Sequence, residues 1–103
     1  MELKKPYYAV IFTNLRKEGD NGYAEMAQQM EALAKEQPGY LGFESARDGL
    51  GIAISYWESL EAIARWKAQA DHLQAQSKGK SLWYSWYKVR ICKVEREYDF
   101  LSA

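Results

Sequence analysis

The segment near the C-terminal end of the sequence constrains the fold most, because it predicts a strand with large apolar side chains on both faces. The strand is predicted over residues 83–98, and alternate residues of a strand point to opposite sides of its sheet. One face would carry Trp83, Ser85, Tyr87, Val89 and Ile91, and the other Tyr84, Trp86, Lys88, Arg90, Cys92 and Val94. An antiparallel sheet with one face in water normally alternates apolar and polar residues. The pattern therefore predicts a sheet that is covered on both faces.

The rest of the chain predicts the order β-α-β-β-α-β. Strands are expected at 7–13, 40–47 and 52–57, and helices at 22–36 and 59–76, with the Asp48-Gly49 turn joining the middle strands. The second helix also allows a break near Asp71 and His72, a short helical turn to Lys78, and an end at Gly79. This order is typical of the ferredoxin-like α+β fold, a four-stranded antiparallel sheet with both helices on one face. We expect residues 1–103 to form a single domain.

Two helices cover only one face of such a sheet, so the other face needs a partner. The first strand is also apolar on both sides, since Tyr8, Val10 and Phe12 alternate with Tyr7, Ala9 and Ile11. A bare second face would be larger than the apolar patches that monomers usually expose. The simplest closure is a two-fold homodimer with the sheets face to face, which forms an α-β barrel.

The composition of the chain indicates which classes of partner and which cellular location to expect. Fourteen basic and fourteen acidic residues balance, which argues against a nucleic-acid partner. The single cysteine, Cys92, cannot form an intrachain disulfide and favours a reducing compartment. No apolar run approaches the ~20 residues that span a membrane, and residues 1–6 lack the apolar core of a signal peptide. We expect a cytoplasmic protein with no membrane partner.

Four segments resemble the antibiotic biosynthesis monooxygenase family of dimeric α-β barrels. They are Gln37-Pro38-Gly39-Tyr40-Leu41-Gly42, the segment Ile54-Ser55-Tyr56-Trp57-Glu58-Ser59-Leu60-Glu61-Ala62, the segment from Trp66 to His72-Leu73, and Trp83-Tyr84-Ser85-Trp86-Tyr87 with Val94-Glu95-Arg96-Glu97-Tyr98. The resemblance implies the same fold, a homodimer, and one family domain over residues 1–103.

The resemblance also implies two templates for activity. Quinone-forming members oxidise phenolic polyketides with O₂ without a metal or flavin, and use an Asn four residues before a strand-end Trp. Trp57 matches that Trp, but Ala53 stands at the Asn position. Haem-degrading members use an Asn on the first strand, a Trp in the second helix and a His ten residues later. Asn14 and Trp66 match the first two, but Gln76 stands at the His position.

The leading prediction is therefore a cofactor-independent monooxygenase that acts with O₂ on a small aromatic or phenolic, quinol-type molecule. His72, the only histidine, is the candidate general base because imidazole titrates near neutral pH. Asn14 is the candidate that orients a phenol or carbonyl. The alternatives are a non-catalytic small-molecule binding or stress-response protein, and a haem-binding or haem-degrading protein.

The predicted substrate-binding residues are Trp57, Trp66, Tyr56 and Arg90. Each candidate also has a purely structural interpretation. Either Trp would serve as core, Asn14 would start a turn, and His72 would lie on the surface or cap a helix. A buried Arg must be paired, so Arg90 would form an ion pair with an acidic residue such as Glu44, or else contact an anionic substrate.

Overall fold

The computed structural model describes the backbone of residues 3–77 and 80–103, and their side chains except those of 74–77 and 80. It confirms the ferredoxin-like fold, with four antiparallel strands in the order β2-β3-β1-β4 and the long helices on one face. The elements are β1 (Tyr7–Arg16), α1 (Tyr23–Glu36), β2 (Tyr40–Asp48), β3 (Leu50–Trp57), α2 (Leu60–Ser77), α3 (Lys80–Trp83) and β4 (Tyr84–Val94). Among the described helices, none is long and apolar enough to cross a membrane.

Short polar side chains start both long helices. Asp20 accepts hydrogen bonds from the backbone N–H groups of Gly22 and Ala24 at 3.1 and 3.2 Å, which satisfies donors that have no partner within α1. Ser59 Oγ accepts from the N–H of Ala62 at 3.0 Å at the start of α2. Asp and Ser are residue types that favour helix starts, so the sequence itself indicates where both helices begin.

Helix α2 is continuous from Leu60 to Ser77, so the break that the sequence allowed near Asp71 and His72 does not occur. The segment contains neither proline nor glycine, and its alanines and long side chains favour an uninterrupted helix. The predicted end at Lys78 and Gly79 lies outside the described residues.

Two register shifts change which side chains face the helices. One lies between Tyr40 and Gly42 on β2 and the other between Leu15 and Arg16, opposite β4. An extra residue at such a bulge reverses the alternation of side chains. Tyr40 therefore packs edge-on against Trp57, with ring centroids 5.7 Å apart, and lies on the helix-covered face with Phe43. Strict alternation from Tyr40 would put Tyr40 and Phe43 on opposite faces.

The last strand is shorter than predicted, because its first residues form α3 and its pairing ends at Val94. Trp83 ends α3 and is only 3% exposed. Its indole N–H donates to the backbone oxygen of Asn21 at 2.9 Å. A buried indole needs such a partner, and this contact ties the end of α3 to the loop that precedes α1.

The core is an aromatic cluster under the two helices. Trp57 is fully buried and stacks on Trp66 of α2, with ring centroids 5.9 Å apart and an interplanar angle of 20°. Its indole N–H donates to Ser55 Oγ at 2.8 Å. Ala34 of α1 and Ile63 of α2 complete the contact between the helices and the sheet.

The opposite face of the sheet is uncovered in the single chain and is largely apolar. Tyr7 and Ala9 are buried at its end, and the exposed apolar side chains on it are those of Leu15, Leu50, Ile52 and Trp86, each 40–45% accessible. The tail after β4 is anchored there by Glu97, which accepts from the Tyr7 hydroxyl at 2.8 Å and pairs with Lys5 at 2.7 Å. Burial, followed by this contact with Glu97, raises the pKa of Tyr7 to about 12.

We predict that Gly39→Ala destabilises the fold more than Gly49→Ala. Both glycines have positive φ, +87° and +78°, so each alanine should cost about 1–2 kcal/mol of backbone strain. At Gly39 the added Cβ would also lie 2.7 Å from Cβ of Ala62, whereas at Gly49 it meets no atom within 4 Å. Overpacking should add about 1–3 kcal/mol to the first variant alone. Urea unfolding of both variants measures the difference, and equal losses would contradict this view of the contact between Gly39 and α2.

Candidate functional site

A cavity of about 420 Å³ lies between α1 and the helix-covered face of the sheet. Antiparallel partners share a face, so the register places two rows of side chains beneath it. One row runs Arg47–Gly51–Asn14–Tyr87 and the next Ser45–Ala53–Phe12–Val89. The cavity is lined by Phe12, Asn14, Phe43, Ser45, Ala46, Arg47, Ile52 and Ala53 from the sheet, and by Tyr23, Ala27, Gln28 and Glu31 from α1.

Arg47 and Asn14 form the polar end of this cavity. The Asn14 side chain is buried, with 2% exposure, and its Oδ1 accepts from an Arg47 Nη2–H at 2.6 Å. The guanidinium also donates to the backbone oxygen of Gly49 at 3.4 Å. Because a guanidinium has only donors, the amide oxygen of Asn14 must face it, and the Nδ2 hydrogens of Asn14 are then available to a ligand.

Gly51 makes the contact between Arg47 and Asn14 possible. It lies between them in the row, and a Cβ built on it would be 2.3 Å from Cζ of Arg47. Only a residue without a side chain lets the guanidinium cross β3 to reach β1. The geometry of the polar end therefore depends on glycine at this position.

Two tyrosines and a second cation lie together near the start of α1, and of these Tyr23 lines the cavity. Tyr23 packs edge-on against Tyr84 at 5.9 Å, and Cζ of Arg16 lies 3.4 Å from the centre of the Tyr23 ring. Burial is the main reason that the pKa of Tyr84 is raised above its usual value, and the interaction with Tyr23 adds to it, while Arg16 and Arg47 oppose the shift. Tyr84 therefore keeps its proton at neutral and mildly alkaline pH.

The remaining side chains that line the cavity are mostly aromatic or small. Phe12 contacts both Tyr84 and Tyr87 at ring-centroid distances of 5.3 Å, and Phe43 is 38% exposed at the side of β2. Ala53 lies in the same row as Phe12 and leaves space above β3. Apolar walls with a few convergent polar groups are typical of sites for small organic molecules.

Of the residues predicted from the sequence for catalysis, Asn14 lines the cavity and His72 does not. His72 lies on α2 and is exposed. Trp57 and Trp66 stack in the core, and Trp57 lies four residues along β3 from Ala53. At 3.4 Å per residue this places Trp57 about 14 Å along the strand from Ala53, outside the cavity lining.

Tyr56 and Arg90 lie on the uncovered face of the sheet. Tyr56 packs edge-on against Tyr7, with ring centroids 5.9 Å apart. Arg90 and Glu44, the partner suggested for it, lie in one row but on the two edge strands, with Ile54 and Ile11 between them. Three strand spacings amount to about 14 Å, so the two residues do not form an ion pair within one chain.

Sequence reasoning missed Arg47, Tyr23 and Phe43, the cavity residues that join Asn14. A charged residue beside a turn, such as Arg47, usually indicates a solvated strand end. Tyr23 follows the helical spacing of the apolar residues of α1, which indicates a core position. The available signal was the pairing through the Asp48-Gly49 hairpin, which puts Arg47 opposite Gly51. A charged residue opposite a glycine has room to lie across the strand.

The described residues contain no group of three His, Cys, Asp or Glu side chains that could hold a metal ion. The haem template depends on the position of Gln76, whose side chain lies outside the described residues.

Comparison with known proteins identifies the family. The family model described as antibiotic biosynthesis monooxygenase matches residues 6–78. The chain belongs to the antibiotic biosynthesis monooxygenase family. The resemblance inferred from the four sequence segments is therefore confirmed.

Two kinds of relatives extend this result. An uncharacterised protein of Bacillus subtilis (strain 168), YqjZ, is 51% identical over 94 residues, which are 89% of this chain and 82% of that protein. Among solved structures, a putative antibiotic biosynthesis monooxygenase from Nitrosomonas europaea superposes with a TM-score of 0.71 at 14% identity, over 89% of this chain and 93% of the other. SnoaB, a cofactor-independent oxygenase from Streptomyces nogalater, superposes with a TM-score of 0.68 at 11% identity, over 94% and 99%. At these identities the superpositions show the fold.

We predict that Tyr84→Phe reduces the fall in the free energy of unfolding at alkaline pH. A pKa that is higher in the folded chain than in the unfolded chain stabilises the fold below the unfolded value of 10.0, and this contribution is lost as pH rises above it. The wild-type free energy of unfolding should therefore fall above about pH 10, and the variant should lose less over the same interval. Urea midpoints at pH 8 and pH 11 measure this, and identical changes in both proteins would contradict the assignment.

Proposed function

We propose that the protein is a cofactor-independent monooxygenase that uses O₂ to oxidise a small aromatic or phenolic molecule bound between α1 and the sheet. The observation that carries the proposal is the cavity itself, with aromatic walls and the Arg47–Asn14 pair at one end. Family membership supports the reaction class. The fold that the chain shares with SnoaB, a cofactor-independent oxygenase, supports it further.

The size and lining of the cavity suit a compact aromatic ligand. Sites for small organic molecules usually enclose about 300–1,000 Å³, and this cavity of about 420 Å³ lies near the lower limit. Phe12, Phe43 and Tyr23 offer ring faces and edges for stacking. The polar end would then hold the oxygen substituent of the ring.

The proposed chemistry needs only the substrate and O₂. Deprotonation of an acidic phenol or of the adjacent CH₂ gives an electron-rich anion, which reduces O₂ and forms a C–O bond with it. Loss of water from the resulting hydroperoxide converts the CH₂ into a carbonyl group. One oxygen atom of O₂ enters the product and the other leaves as water with the two substrate hydrogens. The protein's contribution would be to exclude bulk water, orient the ring and stabilise the anion.

The proposed roles of individual residues differ in how directly the geometry supports them. Asn14 lies in the cavity and would orient the oxygen substituent. His72 remains a proposed base, although its exposed position on α2 would require the ligand or the helix to bring them together. Trp57 and Trp66 would support the helices over the site from the core. Tyr56 and Arg90 would contact a ligand only from the uncovered face.

A second proposal is that the protein binds such a molecule without oxidising it. Ala53 favours this alternative, because it lies in the cavity at the position that the quinone-forming template fills with an Asn. An alanine offers neither a hydrogen bond nor a proton acceptor to the ligand. Binding without oxygen consumption would distinguish this function from the first.

We also propose that two copies associate through their uncovered sheet faces. Exposed Leu15, Ile52 and Trp86 would be buried there, in line with the barrels of this family. The row Glu44–Ile54–Ile11–Arg90 has opposite charges at its two ends. Because a two-fold axis lets residue i of each copy contact residue j of the other, Glu44 of each copy would lie near the partner's Arg90. The cytoplasmic location remains a prediction.

We predict that Asn14→Ala lowers turnover more than His72→Ala. Removing Asn14 takes a hydrogen-bonding group from the cavity and releases Arg47, which should cost about tenfold or more in kcat/KM. The exposed position of His72 predicts a change of less than about threefold unless it acts as the base. Oxygen consumption with anthrone-type and hydroquinone substrates measures both variants.

Other outcomes of the same experiment contradict the proposal. No oxygen consumption by the wild type with substrates that bind would favour the non-catalytic function. A Soret band on titration with hemin, lost when the phenolic ligand competes, would favour haem binding instead. Turnover that is unchanged in His72→Ala would remove His72 from the mechanism and leave the rest of the proposal in place.

We predict that Ile54→Glu dissociates the dimer, whereas Leu60→Glu does not. Ile54 lies on the central strand β3 and faces the proposed interface, where a buried carboxylate should weaken association by about 100-fold or more. Leu60 is 52% exposed at the start of α2, on the helix side, and serves as the matched control. Light scattering after size exclusion measures the mass, and a wild-type monomer at micromolar concentration would refute the interface.

A further inference from the structure

We propose that Arg47 is the oxyanion-binding residue of the cavity, so that the site selects aromatic molecules in their phenolate form. This inference rests on the proposed function only for the location of the ligand, and it names the chemical class that the cavity prefers. Arg90, which the sequence suggested as a contact for an anionic substrate, lies on the uncovered face of the sheet and not in this cavity. Three features of the molecule support it: the position of the guanidinium, its unused donors and the local charge balance.

The guanidinium is held in place by neutral groups. Its two described hydrogen bonds go to the side-chain oxygen of Asn14 and the backbone oxygen of Gly49. Neither partner carries a charge that would neutralise it. Within residues 3–77 and 80–103, no carboxylate lies within ion-pair distance of Arg47.

The donors of Arg47 exceed the acceptors around it. A guanidinium carries five N–H groups in a planar fork, and two of its nitrogens are engaged by the described contacts. The fork can therefore bind an anionic oxygen through further N–H groups while Asn14 keeps it oriented. Such charge-assisted hydrogen bonds are roughly twice as strong as those between neutral groups.

The other charges near the cavity do not cancel this preference. Glu31 lines the cavity from α1, but its carboxylate lies 3.8 Å from Lys35 one helical turn away. Arg16 adds a second positive charge where it lies over the ring of Tyr23. The polar end of the cavity, formed by Arg47 and Asn14, is therefore positive, although the whole chain has no net charge.

Phenolate fits this arrangement better than an aliphatic anion. The cavity places the aromatic side chains of Phe12, Tyr23 and Phe43 around the same space that Arg47 enters. A flat ring can stack there while its oxygen reaches the guanidinium. By stabilising the ionised oxygen, Arg47 would supply the anion that the proposed oxidation requires, without itself accepting the proton.

The test uses 4-nitrophenol, whose phenolate absorbs visible light, and its methyl ether 4-nitroanisole, which cannot ionise. We expect the wild type to lower the apparent pKa of bound 4-nitrophenol. Arg47→Gln should weaken phenolate binding about tenfold or more and should change anisole binding by less than about twofold. The matched control is Arg65→Gln, which removes an exposed arginine of α2 and should leave both affinities unchanged.

Gly51→Ala tests the position of the charge rather than its presence. The added Cβ would lie 2.3 Å from Cζ of Arg47, so the guanidinium must leave Asn14 although the charge of the chain is unchanged. Phenolate binding should weaken in this variant as it does in Arg47→Gln. Thermal unfolding checks that each variant folds, and Arg47→Lys, which keeps the charge but loses the fork, replaces any variant that does not.

Three outcomes would overturn the inference. The first is an unchanged ratio of phenolate to anisole affinity in Arg47→Gln, and the second is normal phenolate binding in Gly51→Ala. The third uses 4-nitrobenzoate, a carboxylate, as a further ligand: it is a loss of 4-nitrobenzoate binding in Arg47→Gln without a loss of 4-nitrophenol binding. These measurements need no turnover. Tight phenolate binding that depends on Arg47, without oxygen consumption, would support this inference and refute the oxygenase. Turnover that does not depend on Arg47 would do the opposite.

Discussion

The packing of two large aromatic side chains near opposite ends of the sheet determines where a cavity remains under α1. Trp57 meets Trp66 and Tyr40 near one end, and Trp83 meets Tyr23 near the other. These contacts hold the helices away from the sheet. Between them the sheet carries Gly51 and Ala53, which are too small to fill the gap. The cavity is the space that this difference in side-chain size leaves under α1.

The same small residues explain why the polar end of the cavity has its geometry. A larger residue than glycine at position 51 would hold Arg47 on the outside of β2. With glycine there, the guanidinium reaches Asn14, and both polar groups face an otherwise aromatic space. An electrostatic feature of the site therefore follows from a steric one, and substitutions in the two rows of the sheet should change binding together.

The uncovered face has apolar side chains, and no described helix or strand lies above them. Leu15, Leu50, Ile52 and Trp86 keep two fifths or more of their surface accessible in a single chain. Burial of apolar surface contributes about 25 cal/mol per Å², so a second copy would remove a substantial cost. The cavity on the helix-covered face is formed within one chain, so under the proposals above the two faces would perform separate tasks.

The sequence by itself determined the order of elements, the capping of α1 and α2, and the family, because apolar periodicity, cap residues and short motifs are local. It also identified Asn14 as a candidate. Tertiary structure decided the rest of the site, since two bulges reversed the alternation at Tyr40 and Tyr84, and the register alone placed Arg47 opposite Gly51. Apolar periodicity does not encode pairing across strands, and the Asp48-Gly49 turn indicates it only for the residues beside the hairpin. For this reason Arg47 was overlooked, and Tyr56 and Arg90 were grouped with residues that lie on the other face.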